Sequence, residues 1–376
     1  MLECPSGGGR PDGGIRPDGI GTYTRELGRH LAQLGVDVRH VGSPRRSGWR
    51  LLRPTPATSS FPLPVTWLGA ASSALRIPTP GGRRVAAGID IYHATDLVVP
   101  RLLRTPVVAT VYDAIPIANP QWTSPRLRRA KNWLLRDWVG RADLVIAISH
   151  AAVADLVTHF DLPRERIRVV PLGVDDAWFD QPDAEETERV LRQHGLAPGY
   201  FLHVGTLQPR KNLDHLVSAY ERLSAGIRRR RQLVLVGKYG WAADDLRRRL
   251  IALRKESRVL WLDYLPQREV RALYAAAGVL VFPSLAEGFG LPVLEAMAAG
   301  VRVIASDLAA LREVAAGHAT FIDAGSIDAL AAAMTGADAA DDAPAARMER
   351  RRHARRFDWR QTAAQTIEVY RELVPG

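Results

Sequence analysis

Glu287 and Glu295 flank a glycine turn in the stretch Ser284-Leu-Ala-Glu287-Gly288-Phe289-Gly290-Leu291-Pro-Val-Leu-Glu295-Ala-Met-Ala-Ala-Gly300, with seven residues between them. A carboxylate accepts hydrogen bonds from two neighbouring hydroxyls at once. The stretch follows an apolar strand, Gly278–Phe282, and runs into a short helix. Pro292 suits the first helical position and Gly300 the C-terminal cap. The first amides of that helix lack partners within the chain and carry the positive end of the helix dipole, so they form a seat for phosphate. An acid on each side of a phosphate seat fits a ligand with a diol on each side of its phosphates. A nucleotide sugar is such a ligand.

A second group of polar residues lies upstream. In Gly205-Thr206-Leu-Gln-Pro-Arg210-Lys211-Asn212, two cations stand beside a helix start. Arg binds a diphosphate bidentately and Lys as a point charge; an exposed basic helix cap is the plain alternative. Gly19-Ile20-Gly21, ahead of a helical pattern from Thr22, is a further glycine turn, either a phosphate contact or a structural loop. Asp113 follows an apolar run and can hold an acceptor hydroxyl or cap a turn. His93 ends a neighbouring run, as a catalytic or a packed histidine. Between residues 125 and 138, Leu127, Ala130, Leu134 and Trp138 fall on one helical stripe among Arg and Lys. That helix lies either on an anionic membrane or on its own sheet.

These groups need elements to place them. From residue 200 onward, short apolar runs at 200–205, 232–237, 258–262, 279–283, 301–305 and 319–322 alternate with helical patterns at 212–223, 241–255, 267–276, 291–299, 308–314 and 327–334. Runs apolar throughout, alternating with helices, define a parallel sheet covered on both faces. Ligands of such sheets sit beyond the carboxyl ends of the strands, where Gly205-Thr206, Gly237-Lys238, Asp263-Tyr264 and the Glu287 turn all fall. The first half is less tidy, with strands at 36–41, 89–93, 107–111, 143–148 and 167–171 and helices at 22–34, 126–139 and 150–160. Residues 44–82, rich in Pro, Ser and Arg, read as an irregular or mobile insertion, 173–185 as a linker, and 338–352 as low-complexity Ala/Asp then Arg. A final helix covers 359–374.

Composition bounds the rest. At 376 residues two domains are expected, and 47% apolar with 24% charged residues describes a soluble globular chain. One cysteine excludes an internal disulfide and a cysteine zinc cluster, which fits a reducing cytoplasm. No run approaches membrane-span length. The net charge of +11 points to acidic partners or to an arginine-rich proteome, and the stretch between Asp37 and Asp90 holds eight arginines and no acid. No Asp-x-Asp pair is present, which speaks against a metal-held diphosphate. Walker and Gly-x-Ser-x-Gly motifs are absent too. Arginines spread over both halves without a recognised module argue against nucleic acid.

The motifs Val-Gly205-Thr-Leu-Gln-Pro-Arg-Lys-Asn, Val-Gly237-Lys-Tyr-Gly-Trp241, the Glu287–Glu295 stretch and the terminal Phe-Asp-Trp359 resemble the retaining glycosyltransferases of family 4. Similarity runs from about Gly19 to the C-terminus, and is similar above all to members that transfer mannose or rhamnose in O-antigen or exopolysaccharide assembly. The resemblance implies an α/β chain of GT-B fold, two Rossmann-like parallel-sheet domains facing a cleft. Residues 1–180 would form the acceptor side, with the helix of 359–376 packing back on it, and 186–357 the nucleotide-sugar side. Glu287 would hold donor-sugar hydroxyls and Glu295 the ribose diol, with Gly288, Phe289, Gly290 and Leu291 at the phosphates. Arg210 and Lys211 would neutralise the leaving diphosphate. Gly205, Thr206, Gly237 and Tyr264 would line the donor site, Gly19 and Gly21 would approach the phosphate from the other domain, and Asp113, His93 and Tyr112 would serve the acceptor and catalysis.

The implied activity is metal- and cofactor-independent hexose transfer from a nucleoside diphosphate sugar to a lipid-linked or oligosaccharide acceptor, in the cytoplasm or at the inner face of its membrane through 126–138. An epimerase or phosphorylase on the same fold, or a non-catalytic binder of nucleotide sugars, are the alternatives. Two features depart from the family. Residues 1–18 hold no apolar run where a first strand is expected, so either the start is misassigned or the sheet lacks a strand. Tyr112 also stands where many members have histidine.

Overall fold

The structure is a computed structural model that describes residues 2–3, 19–42, 45–47, 50–52, 59–122, 126–240, 243–253 and 258–374. It divides into two compact units, one of residues Met1–Gly173 with Phe357–Gly376 and the other of Val174–Arg356. The division falls at 173/174, so the expected linker is largely part of the second unit. There Asp175 caps a short turn through Trp178, and the helix Ala184–His194 packs on the helix Gln267–Ala276.

The second unit is built on a six-stranded parallel sheet. Its spatial order is Val259–Leu262, Leu233–Val236, Phe201–Val204, Val279–Phe282, Arg302–Ser306 and Thr320–Ile322. In sequence terms this is 3-2-1-4-5-6, the doubly wound order whose reversal point lies between the first and fourth strands. The strands Leu233–Val236 and Val279–Phe282 are buried from end to end, which is why they read as unbroken apolar runs. One face packs Phe201, Leu235 and Val281 against Leu216, Tyr220, Leu330 and Met334. Each such side chain contributes roughly 1.5–3 kcal/mol by leaving water.

The first unit repeats the pattern in a seven-stranded parallel sheet. Its order is Ser59–Ser60, His40–Gly42, Leu2–Glu3, Tyr92–Ala94, Val107–Val111, Leu144–Ala147 and Ile167–Val169. The first strand that seemed missing is therefore present: Leu2–Glu3 pairs in parallel with both His40–Gly42 and Tyr92–Ala94. Two residues are too few to register as an apolar run. The insertion is also more ordered than its composition suggests. It holds a hairpin of Arg45–Ser47 with Arg50–Leu52, the edge strand Ser59–Ser60 and the helix Val65–Leu75. The C-terminal helix Trp359–Arg371 packs on the helix Gly19–Gln33 of this unit, with the Tyr23 and Trp359 rings 6.0 Å apart.

The low-complexity stretch departs furthest from expectation. Pro344–Ala354 is a helix packed on Leu291–Ala298, and its inward residues are Arg350, His353 and Ala354. Arg350 is 6% exposed, donates to Gly300 O at 2.8 Å and reaches both Asp342 oxygens at 2.6 and 2.8 Å. An arginine thus closes the end of the helix that carries Glu295. No described helix is long and apolar enough to cross a membrane. Arg350→Ala should leave Gly300 O unpaired and Asp342 with only the more distant Arg347, at 3.5 Å, and cost about 2 kcal/mol in urea unfolding of the second unit. An unchanged midpoint would show that water replaces the guanidinium at no cost.

Candidate active site

The chemistry-bearing residues of the second unit converge at the carboxyl ends of the first and fourth strands, the reversal point of the sheet. After Phe201–Val204 the chain runs through Gly205 and Thr206 to the turn Pro209–Lys211. After Val279–Phe282 it runs through Ser284 and Glu287 to the helix Leu291–Ala298. Leu285 N donates to Arg210 O at 2.8 Å, which joins the two loops by backbone.

Side chains join them more firmly. Lys211 Nζ lies 2.5 Å from Glu287 Oε1, and Arg210 Nη1 lies 3.0 Å from Oε2. Arg210 also donates to Ala286 O at 3.1 Å, and the Lys211 ammonium sits 4.5 Å from the centre of the Phe282 ring. Only 7% of the Lys211 side chain and 9% of the Glu287 side chain are exposed. Burial alone raises a carboxyl pKa; here the charges of Lys211 and Arg210 outweigh it and hold Glu287 down at about 2. Glu287 is a permanent anion with a cation on each oxygen.

Glu295 is its opposite. It is half-buried, with the Tyr274 hydroxyl 3.3 Å from Oε2, and no cation is paired with it among the described residues. Burial pushes its pKa up to about 8, against a smaller lowering by Tyr274. Burial thus favours its carboxylic acid form, which donates as well as accepts. The two acids of the motif are pushed in opposite directions, Glu287 towards the anion and Glu295 towards the neutral acid.

Glycines let the loops meet. A Cβ on Gly237 would lie 2.0 Å from Gly205 O, and one on Gly240 would lie 2.2 Å from Leu207 O. Leu207 N in turn donates to Lys238 O at 2.9 Å. Gly290 has φ +107° and caps the helix Leu291–Ala298, where a Cβ would strike Leu311 at 2.5 Å. Gly288 and Phe289 are buried in the turn, whereas Leu291 is half-buried. Thr206 is exposed. Tyr264, on the loop after Val259–Leu262, places its ring 5.0 Å from Lys238 Nζ.

Three residues of this site were not apparent in the sequence. Tyr274 holds Glu295, and Phe282 underlies Lys211. His203 is fully buried, stacks on Phe282 at 5.7 Å between ring centres and donates from Nδ1 to Val281 O at 3.0 Å. Burial, with the Lys211 charge adding to it, lowers its pKa to about 4, so it is neutral beside the ammonium. A histidine within the otherwise apolar run Phe-Leu-His-Val was the available signal.

The first unit places its candidates differently. His93 lies inside the strand Tyr92–Ala94, fully buried, with Nδ1 2.7 Å from Tyr370 Oη and Nε2 2.8 Å from Thr110 Oγ1. Burial lowers its pKa to about 3, and with both nitrogens used inside the protein it has none to offer an acceptor. These are the contacts of a packed histidine. Tyr112 donates to Thr95 O at 3.0 Å, and Asp113 Oδ1 caps Ile115 N at 3.0 Å. Gly19 and Gly21 form the first turn of the helix Gly19–Gln33 rather than a loop ahead of it. The stripe of 127–138 is divided: Trp138 is buried and Leu134 packs on the core, while Leu127 is 76% exposed. Trp241 and Pro125 lie outside the described residues.

Two Rossmann-like parallel-sheet units, one with an acid–base cluster at its reversal point, define the GT-B class of sugar-transferring enzymes. HepE of Anabaena, solved with UDP and glucose, has the same fold at a TM-score of 0.74 and 19% identity, over 99% of this chain and 98% of that one. WaaG, a glycosyltransferase involved in lipopolysaccharide biosynthesis, aligns at 0.69 and 17% identity, over 100% and 99% of the chains. Residues 17–178 match Glycosyltransferase Family 4, and residues 185–352 match glycosyl transferases group 1. The O-antigen chain mannosyltransferase B of Escherichia coli is 32% identical over 286 residues, 75% of this chain and 74% of that protein. The MMP alpha-(1→4)-mannosyltransferase of Mycolicibacterium hassiacum is 29% identical over 418 residues, 95% of each. The chain belongs to the family 4 glycosyltransferases, and it is a glycosyltransferase.

The raised pKa of Glu295 has a measurable sign. Its protonated form stabilises the fold fully below the ordinary carboxyl pKa, and that stability is lost as pH rises towards about 8. Melting temperatures from pH 5 to 9 should therefore fall less steeply in Glu295→Gln than in the wild type. Equal slopes would mean that Glu295 is ionised throughout.

Proposed function

We propose that the chain transfers a hexose, mannose first among the candidates, from a nucleoside diphosphate sugar such as GDP-mannose to a lipid-linked or saccharide acceptor in cell-surface polysaccharide assembly. Transfer proceeds with retention and without a metal or other cofactor. One observation carries the reading: Glu287 sits between Lys211 and Arg210 at the sheet's reversal point, with Glu295 seven residues further on. The relatives named as mannosyltransferases support the choice of sugar, and the O-antigen relative the choice of pathway class.

The demanding step is departure of the diphosphate from the anomeric carbon. Lys211 and Arg210 stand ready to take its charge, and sharing them with the diphosphate frees Glu287 oxygens for the sugar hydroxyls. Preorganised charge of this kind stabilises a transition state more than solvent does, because it needs no reorientation. Glu295, with its pKa raised by burial, suits a diol: in its protonated form it donates to one oxygen and accepts from the other. The acceptor hydroxyl attacks from the face that the diphosphate leaves. The bond from the anomeric carbon to the phosphate oxygen breaks, the bond to the acceptor oxygen forms, and the departing phosphate takes the acceptor's proton. A lipid-linked acceptor would be met at the membrane through Leu127 and Trp133, both exposed among Arg126, Arg129 and Lys131.

Lys211→Ala and Glu287→Ala, each checked for a folded melting profile, should lower turnover at least ~30-fold, within reach of the ~100–1000-fold typical of one lost preorganised contact. Release of nucleoside diphosphate across a panel of GDP-, UDP- and dTDP-sugars reads this out and names the donor. Anomeric coupling in the product reports retention, and a chelator should leave the rate unchanged. Near-normal rates in both variants would defeat the assignment.

A further inference from the structure

The opposite edge of the second sheet carries a feature that sugar transfer does not use. At the amino ends of the strands Phe201–Val204, Val279–Phe282 and Arg302–Ser306, a cavity of about 330 Å3 opens beside Gly199, Gly278 and Val301. That volume falls in the range of small-molecule sites. A four-residue strand spans about 13 Å, so the cavity is well separated from the Glu287 cluster at the carboxyl ends.

Five arginines line it, Arg231, Arg271, Arg302, Arg347 and Arg351, with Trp178 as an aromatic wall. Only two acids share the lining, Asp180 and Asp342, and Asp342 is already engaged by Arg350 at 2.6 and 2.8 Å. Arg231 is satisfied, by Asp338 and Gly199 O, both at 2.6 Å. Among the described residues, each of the other four makes a single polar contact. Arg347 approaches Asp342 at only 3.5 Å, Arg271 reaches Asp180 O at 3.5 Å, Arg302 donates to Ala340 O at 2.8 Å, and Arg351 donates to Phe179 O. The Nε atoms of Arg271 and Arg302 are shielded from solvent and have no hydrogen-bond partner among the described residues. Burial lowers the pKa of Arg302, against a raising by Asp342 and Asp341 and with Arg231 and Arg350 adding to the lowering. Guanidinium groups that converge with donors to spare repel one another unless an anion joins them. Their planar forks match phosphate oxygens bidentately.

We propose that this cavity binds a phosphate-bearing ligand with at least two negative charges, at a site separate from the one that handles the donor. Arg302 and Arg347 would clasp the phosphates, with Arg271 and Arg351 completing the charge. A free phosphorylated molecule and a lipid headgroup share this chemistry, and the test separates them.

Phenylglyoxal modification of the full-length protein, mapped peptide by peptide, follows each arginine individually. Inorganic pyrophosphate at ten times its Kd should slow the reaction of Arg347 about tenfold by mass action, leaving Arg192, 68% exposed on the helix Ala184–His194, unchanged. Arg302→Gln or, should that variant fold poorly, Arg271→Gln should weaken the protection of Arg347. Protection by pyrophosphate supports a free phosphorylated ligand. Protection only by cardiolipin vesicles, whose headgroup carries two phosphates, supports a headgroup. Protection by neither, or pyrophosphate protection confined to Arg210, overturns the proposal.

Discussion

The Glu287 carboxylate, with Lys211 on one oxygen and Arg210 on the other, is the interaction that the candidate site depends on. It fastens the loop after the first strand to the loop after the fourth, across the point where the doubly wound order reverses. As a stabilising device it is a poor choice. Desolvating a carboxylate and an ammonium to below one-tenth exposure costs several kcal/mol per ion, and an apolar pair of equal volume often does as well. Removing one partner, by contrast, strands a buried charge. A fold does not need such a cluster, but the proposed handling of a leaving diphosphate does, and perturbed carboxyls at a strand-end crevice are where function concentrates. The neutral state of His203 fits the same logic: a second cation beside Lys211 would compete for Glu287.

Backbone, more than side chains, sets how closely these loops approach. Gly237 against Gly205 O and Gly240 against Leu207 O leave no room for a Cβ, so two successive strand-end loops lie flush. Gly290 adds a positive φ that releases the chain from turn into helix. The other end of that helix is closed from outside, by Arg350 on Gly300 O. The segment with Glu287 and Glu295 is thus fixed at both ends by contacts that no neighbour in sequence supplies.

What was legible in the sequence follows from which forces leave a local trace. In the second unit every strand is short and mostly apolar, so each stood out, and the motif acids fell where strand-end loops must lie. The first unit hides its pieces for identifiable reasons. Leu2–Glu3 earns its place by pairing on both edges, a non-local fact. Val65–Leu75 has no charged residue, and its three hydroxyls are spread among apolar side chains, so it shows little amphipathic period. Pro344–Ala354 buries an arginine and a histidine where aliphatics are expected, and composition alone reads such a stretch as solvent-facing. His93 shows the limit for single residues. Its type suggested chemistry, but Thr110 and Tyr370, distant in sequence, occupy both nitrogens. Asp113 accepts from Ile115 N through Oδ1, a local contact that the sequence could pose but not place.

The two edges of the second sheet handle positive charge in opposite ways. At the carboxyl edge Lys211 and Arg210 are neutralised by one deeply buried acid, and the local field is balanced to within a single charge. At the amino edge five arginines share a cavity with two acids, one of which already serves Arg350. The net charge of +11 hides this contrast, because most of the excess is spread over solvated side chains where salt screens it within about 10 Å. What selects a ligand is the unscreened remainder inside a recess, where the dielectric is low and each unpaired guanidinium counts more. By that measure the amino edge holds more uncompensated positive charge than the edge where the sugar chemistry is placed, and a fold that gained nothing there would be better served by aliphatic side chains.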